Sequence, residues 1–144
     1  MIVVDTNVLS ELMRPTPEPA VMTSFSRQDS ARLYFTAIGE AELRTGAAIL
    51  PAGRRRDRLA AEVDTTVRED FAGRVLPFDS AAARAYADIA ATRRSEGRPI
   101  LQADCQIAAI ARARDAAVAT RNVSDFEHCG IALIGPWAGD PAAP

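Results

Sequence analysis

The regular alternation of short apolar runs with longer helical segments is the feature that most constrains the fold. The runs have the length and composition of buried strands, and they cover residues 2–4, 33–36, 74–78, 117–120 and 131–134. Strands that alternate with helices in this way form βαβ units, in which the strands lie parallel and helices cover both faces of the sheet. The sequence therefore predicts an α/β fold with a parallel sheet.

Helix-boundary residues divide the segments between these runs. Thr6 or Asn7 can cap a helix that continues to about Arg14, because a proline follows at position 15. Gly97 and Pro99 are stop signals for a long Ala-rich helix. The predicted helices cover residues 6–14, 18–27, 37–50, 54–70, 80–96 and 100–114.

Length and composition favour one globular domain. The chain has 144 residues, of which 48% are apolar and 25% are charged. We expect a single domain over residues 1–137, followed by a Pro/Ala-rich tail, 138–144, that frays. No apolar run is long enough to span a bilayer, and the N-terminus lacks the basic region of a signal peptide, so the expected location is the cytoplasm.

The histidine, cysteine and basic residues limit the kinds of active site that this chain can form. His128 is the only histidine, which excludes multi-histidine zinc sites, and no nucleophile-elbow motif is present. Cys105 and Cys129 lack metal-binding spacing and are interpreted as reduced thiols. The net charge is −2, and every basic residue is an arginine. The arginine clusters at 54–58, 93–98 and 112–114 can contact phosphates, or simply solvate helix faces.

Four acids are predicted to lie near the carboxyl edge of the sheet. Asp5 directly ends the first strand, and Asp125 lies in the loop after the fourth. Glu42 lies one turn into the helix after the second strand, and Asp104 lies in the first turn of the helix that begins near Ile100. Open α/β sheets bind ligands at this edge, so we expect the four carboxylates to converge.

Converging carboxylates predict a cation site. They repel one another at neutral pH unless a cation binds or their pKa values rise. Oxygen ligands without histidine or cysteine select hard ions, Mg²⁺ or Mn²⁺, which can activate a water for attack on a phosphodiester. Each acid also has a structural interpretation. Asp5 and Asp125 can cap helices, and Asp104 can complement a helix dipole. Glu42 can be a solvated surface acid.

Four segments carry a family resemblance. They are IVVDTNVLSEL at 2–12, TAIGEAELRTG at 36–46, PILQADCQIAA at 99–109 and ATRNVSDF at 119–126. Together they resemble the motifs of PIN-domain proteins, and most of all those of toxins from bacterial VapBC-type toxin–antitoxin modules, including the FitB-like branch. The resemblance covers nearly the whole chain, from Met1 to about Trp137.

The resemblance implies a fold and an activity. The fold is a three-layer α/β/α sandwich around a parallel sheet of about five strands. The activity is endonucleolytic cleavage of RNA by an enzyme that holds Mg²⁺ or Mn²⁺. Asp5, Glu42 and Asp104 match the three recurring acids and are the expected catalytic residues and metal ligands. Thr6, by its motif position, is expected to orient a ligand or a water.

The fourth position of the cluster has two candidates. Family members often carry an acid where this chain has Asn122, so either Asp125 takes that catalytic role or Asn122 holds a water while Asp125 stays structural. Arg121 is expected either to contact a substrate phosphate or to be a plain surface residue. Glu40 lies on a different helix face from Glu42 and is a poor rival for the metal.

The resemblance also implies partners and leaves competing functions open. It suggests a homodimer and a cognate antitoxin that covers the acidic site, with RNA as substrate, DNA contacted only through the antitoxin, and no membrane. One alternative is a non-catalytic subunit of a DNA-bound toxin–antitoxin complex that regulates its own promoter. Another is a metal-dependent phosphatase or DNA nuclease with the same acids.

Overall fold

Five parallel strands form the sheet of this computed structural model, which describes residues 1–138. The strands are β1 (Ile2–Val4), β2 (Leu33–Thr36), β3 (Val75–Leu76), β4 (Ala117–Ala119) and β5 (Leu133–Ile134). Their order in the sheet is β3-β2-β1-β4-β5, and every neighbouring pair is parallel. The central strand is in register on both sides, since Val3 lies opposite Tyr34 and Val118. The predicted parallel sheet of about five strands is confirmed.

Six α-helices connect the strands within residues 1–138. They are α1 (Thr6–Leu12), α2 (Pro19–Ser26), α3 (Ala37–Ala48), α4 (Arg54–Thr65), α5 (Ser80–Ser95) and α6 (Gln102–Ala113). A π-helical segment, Thr66–Asp70, continues α4, and 3₁₀ turns cover Ser30–Arg32, Val123–Phe126 and Pro136–Ala138. No helix of the described chain is long and apolar enough to cross a membrane. Of the predicted tail, 138–144, only Ala138 is described, and residues 139–144 lie outside the described part.

Alternating side chains of β1 divide the core into two halves. Val3 packs in a cluster with Ile89 of α5 and Ile107 of α6. Val4 points to the opposite face, because successive strand residues alternate, and packs with Val8 and Val21 of α1 and α2. Helices therefore cover both faces of the sheet, and the predicted α/β/α sandwich is confirmed.

The helix that follows β1 differs from the prediction at both ends. Its N-cap is Asp5 rather than Thr6 or Asn7, since the Asp5 Oδ1 accepts the Thr6 N–H at 2.8 Å. The helix ends at Leu12 rather than near Arg14, and Met13 is its C-cap. Asp5 thus lies at a junction, directly after a buried strand and directly before a helix.

Candidate active site

The carboxyl ends of β1 and β4 meet at the topological switch point of the sheet. The chain continues from β1 to β2 and β3 on one side, whereas β4 and β5 lie on the other side. Open α/β sheets form a ligand-binding crevice at such a point, outside the carboxyl ends of the strands. Asp5 follows β1 and Thr120 follows β4, so the topology brings these two side chains together.

Asp5 is only 5% exposed, and both of its carboxylate oxygens accept hydrogen bonds. Oδ1 accepts the Thr6 N–H and Oδ2 accepts the Thr120 hydroxyl, each at 2.8 Å. Burial raises the pKa of Asp5, and the hydrogen bonds from Thr120 and Thr6 oppose this rise. The charges of Glu42 and Asp125 raise the pKa further. Two hydrogen bonds therefore hold a buried carboxylate in one orientation beside two other acids.

A threonine hydroxyl links Glu42 to the segment that carries Asp5. The Thr6 Oγ1 donates to the Glu42 Oε1 at 2.7 Å. Glu42 comes from α3, whose first turn is fixed by the Thr36 hydroxyl, the acceptor of the Gly39 N–H at 2.9 Å. Glu40 instead accepts the Arg44 Nε at 2.7 Å on another face of the helix. The structure therefore places Glu42, rather than Glu40, beside the Asp5 segment.

Asp104 shares its electrostatic environment with the other three acids. It lies in the first turn of α6 and is partly buried. Burial is the largest cause that raises the pKa of Asp104 to about 6, and the charges of Asp5, Asp125 and Glu42 add to it in that order. Carboxylates raise one another's pKa only when they are near enough to repel. The charges of the four predicted acids thus influence one another, and we call these residues the acid cluster: Asp5, Glu42, Asp104 and Asp125.

Asp125 lies inside the 3₁₀ turn Val123–Phe126, whose N-cap position is Asn122. The alternative in which Asp125 caps a helix is therefore wrong. Arg93 of α5, which is 5% exposed, holds this turn. Its Nη1 donates to the backbone oxygens of Asp125 at 2.8 Å and Glu127 at 3.0 Å. Arg93 is thus a positioning residue for the segment that carries Asp125.

Arg121 lies beside Thr120 at the edge of the cluster. Its backbone N–H donates to the Asn7 Oδ1 at 3.3 Å, and its guanidinium carbon lies 5.0 Å from the centroid of the Trp137 ring. The side chain is exposed, so a contact with substrate stays a prediction. The Asn122 backbone N–H donates to the Thr120 Oγ1 at 3.1 Å, which ties this loop to the Asp5 carboxylate.

Thr120 contacts the candidate site and was not predicted from the sequence. It is fully buried, and its hydroxyl donates to Asp5 while accepting a backbone N–H. The available signal was a hydroxyl residue directly after an apolar strand. That signal gains meaning only when β4 is known to lie beside β1, and sequence pattern does not give the order of strands.

The acid cluster fits a hard cation by its chemistry rather than by a ready-made geometry. Among residues 1–138, no three or more Asp, Glu, His or Cys side chains are arranged as they would be around a bound metal ion. The donors are nevertheless carboxylate oxygens, which Mg²⁺ and Mn²⁺ prefer, and burial together with repulsion from the other acids raises the pKa of Asp104. A divalent cation would relieve this repulsion, so the residues present suit such an ion.

A match to a protein-family model identifies the family of the chain. The family model described as PIN domain matches residues 2–130. The chain belongs to the PIN-domain family. The acid cluster therefore lies in a PIN domain, as the four sequence motifs predict.

Two curated relatives align with this PIN domain over 137 residues each. VapC ribonuclease Y4jK of Sinorhizobium fredii is 47% identical, and the alignment covers 95% of this chain and 98% of that protein. Toxin FitB of Neisseria gonorrhoeae is 38% identical, with 95% of this chain and 99% of that protein covered. These similarities extend along nearly the full length of both relatives.

Two solved structures share the fold. FitAcB from Neisseria gonorrhoeae superimposes with a TM-score of 0.89 at 38% identity, covering 95% of this chain and 99% of that chain. FitAB bound to an IR36 DNA fragment also gives a TM-score of 0.89, at 37% identity, with 95% and 96% covered. The α/β/α arrangement around the acid cluster is therefore shared with these two solved structures.

Proposed function

We propose that this PIN domain is a divalent-metal-dependent endoribonuclease, the toxin of a type II toxin–antitoxin module. The observation that carries the proposal is the acid cluster at the switch point of the sheet, where burial and the charges of three carboxylates raise the pKa of a fourth. The relatives named VapC ribonuclease and Toxin FitB support the class of activity. Mg²⁺ or Mn²⁺ is the ion that this donor set would select.

In this proposal Asp5, Glu42 and Asp104 are the metal ligands, and Asp125 completes the catalytic acids. A bound cation would activate a water and stabilise the leaving oxygen of the phosphodiester. The chain's own contribution is orientation: two hydrogen bonds fix the Asp5 carboxylate, and the Thr6 hydroxyl fixes one oxygen of Glu42.

Three further residues position substrate or the cluster. Thr120 is a positioning residue that acts through Asp5. Arg121, exposed beside it, carries the charge that a substrate phosphate needs. Asn122 can orient a water with its side-chain amide, because the turn that follows is not capped by that side chain.

A protein partner is part of the proposal. The solved relatives FitAcB and FitAB are complexes, and we infer that this chain likewise binds a cognate antitoxin and forms a homodimer in the assembled module. A cationic antitoxin side chain placed over the acid cluster would compete with the metal ion for the same carboxylates. Inhibition would then weaken as the metal concentration rises.

A second candidate is a non-catalytic subunit of a DNA-bound complex. The solved FitAB complex contains a DNA fragment, which favours a role in promoter binding. This chain alone has a net charge of −2, so DNA would be contacted through the antitoxin. The two candidates are separated by activity, since only the nuclease needs the acid cluster to cut RNA.

Cleavage of a structured RNA pool by purified, partner-free protein tests the proposal. We expect cleavage in Mg²⁺ or Mn²⁺, none in EDTA, and a loss of about 100-fold or more in Asp5→Asn, because the variant removes one ligand charge. Glu40→Gln is the matched control, since it also removes an acid near the cluster but leaves the Thr6–Glu42 hydrogen bond in place. Folded protein that cuts no RNA with either ion would favour the second candidate.

A further inference from the structure

A groove of about 640 Å³ adjoins the acid cluster between α1, α3 and α4. Thr6 and Glu42, which are hydrogen-bonded to each other, are among the residues that line it. The groove is therefore continuous with the candidate active site. Its wall on the α4 side carries part of the arginine run 54–58 that the sequence analysis singled out.

Helical spacing divides that arginine run between different faces of α4. Arg55, Arg58 and Leu59 line the groove and lie three and four residues apart, which places them on one face. Arg56 instead lines a smaller pocket against the other side of α3. Arg54 is exposed and, in the part of the chain that is described, lines neither of these two pockets. Only two of the four arginines thus face the groove.

The charges of the groove suit an anion. Arg55 and Arg58 are exposed, and within residues 1–138 neither forms an ion pair. Arg14 adds a third guanidinium, although it also pairs with Glu11 at 3.1 Å. Apart from Glu42 of the acid cluster, Glu62 is the acid among the lining residues. Beyond the cluster, the groove therefore carries three positive charges and one negative charge.

Most of the remaining lining residues are apolar and suit nucleobases. Met13, Leu43 and Leu59 line the groove together with the charged residues. A single strand of nucleic acid presents phosphates that pair with guanidiniums and bases that contact apolar side chains, and this groove offers both surfaces. A basic or purely apolar peptide would leave Arg55 and Arg58 without partners, so the observations favour a phosphodiester chain.

We propose that Arg55 and Arg58 bind backbone phosphates of the RNA strand that leads away from the scissile bond. This inference rests on the proposed ribonuclease function, because it gives the same site its substrate channel. The two arginines contact substrate but lie outside the acid cluster, so they contribute to RNA affinity rather than to bond cleavage. Their sequence neighbours Arg54 and Arg56 do not take part.

Cleavage kinetics of the double variant Arg55→Gln/Arg58→Gln test the inference. The control is Arg54→Gln/Arg84→Gln, which removes the same net charge at two exposed positions that do not line the groove. With the RNA pool as probe, we expect the groove variant to raise the apparent KM about 10-fold at nearly unchanged kcat, since charge-assisted phosphate contacts are lost. The control should stay within about 2-fold of wild type.

Salt dependence separates a phosphate contact from a structural effect. Each phosphate contact to a single strand contributes about 0.7 to the slope of log affinity against log salt, so losing two should reduce the slope by about 1.4. If wild type cleaves RNA but the groove variant has the same KM and the same salt slope as the control variant, the inference is overturned and the groove is left to a protein partner. No cleavage by wild type would instead overturn the proposed function itself.

Discussion

Asp104 lowers the stability of the folded protein when it is ionised, because it is a partly buried acid among three others. Its pKa is raised from 3.8 to about 6, so the folded state keeps this proton over a pH range in which the unfolded chain has released it. The group therefore stabilises the folded protein below about pH 4, and this contribution is lost as the pH rises through about 6. At neutral pH the ionised Asp104 therefore imposes a penalty on the free energy of unfolding of the metal-free protein.

Asp104→Asn should remove that penalty. In EDTA at pH 7.5 we expect the variant to be more stable than wild type by about 1–3 kcal/mol, because a shift of one pKa unit corresponds to about 1.4 kcal/mol. The difference should shrink towards pH 4, where wild-type Asp104 is protonated. Urea unfolding at several pH values measures this, with the exposed Asp88→Asn as the control that should change little. A variant less stable than wild type at pH 7.5 would contradict the cluster.

The Thr6 hydroxyl should matter for activity more than for stability. Thr6→Val keeps the shape of the side chain but removes the hydrogen bond to Glu42, which measures 2.7 Å. We expect kcat to fall about 10-fold, since a hydrogen bond to a charged group is worth about 1.5–3 kcal/mol. Thr6→Ser restores the hydroxyl and should retain most of the activity. Equal rates for the two variants would show that Glu42 needs no such orientation.

The sequence pattern predicted the acids of the cluster but not every residue that hydrogen-bonds to them. Asp5, Glu42 and Asp125 could be proposed because each comes soon after the end of a strand, and Asp104 because it lies in the first turn of a helix. Thr120 could not, because its role depends on β4 lying beside β1. Asp5 caps α1 and also lies among the acids of the cluster, so the structural interpretation does not exclude the functional one.

Among the helices, α3 contains two glycines with opposite surroundings. A Cβ at Gly39 would lie 2.6 Å from the Phe35 ring and 3.1 Å from the Thr6 Oγ1, whereas a Cβ at Gly46 would meet nothing within 4 Å. The first glycine permits close packing of α3 against β2 and α1. The second has no such constraint.

Alanine substitution should therefore have opposite effects at the two sites. Gly39→Ala should destabilise the protein by about 1–3 kcal/mol through overpacking, and should lower activity by displacing Thr6. Gly46→Ala should stabilise it by about 0.5–1 kcal/mol, because alanine has the higher helix propensity. Thermal unfolding of both variants checks the pair. A Gly39→Ala variant as stable as Gly46→Ala would show that α3 can shift freely.

Every predicted strand and helix is present in the structure, but some of them begin or end at residues other than the predicted ones. Sequence pattern identified β2 at its observed residues, because its apolar run is bounded by clear changes in composition. It extended α1 too far and β3 by several residues. The π-helical segment after α4 was not foreseen, because its hydrogen-bond pattern leaves no mark on apolar periodicity.

For the molecule as a whole, Arg93 joins segments that are distant in sequence. Its guanidinium donates to the backbone oxygens of Arg98, Asp125 and Glu127, so α5 holds the chain on both sides of α6 and β4. A buried arginine that satisfies several carbonyl groups is costly to remove, because those carbonyls then lose their donors.

Arg93→Met should therefore lower both stability and activity. We expect a loss of about 3 kcal/mol or more in the free energy of unfolding, and lower kcat because the Asp125 segment is released. Arg94→Met, at the exposed neighbouring position, should change neither by much. Urea unfolding and RNA cleavage measure the two effects. A stable, active Arg93→Met variant would show that another contact holds the Asp125 segment.

Calorimetric titration of Mn²⁺ into the metal-free protein tests directly whether the acid cluster binds a divalent cation. If the acid cluster binds the ion, wild type should bind Mn²⁺ and release protons at pH 6, where Asp104 is about half protonated, and should release fewer at pH 8. Asp104→Asn should bind at least about 10-fold more weakly and lose this proton release, whereas Asp88→Asn should match wild type. Binding that is unaffected by Asp104→Asn, or no binding to folded wild-type protein, would show that the acid cluster is not a metal site.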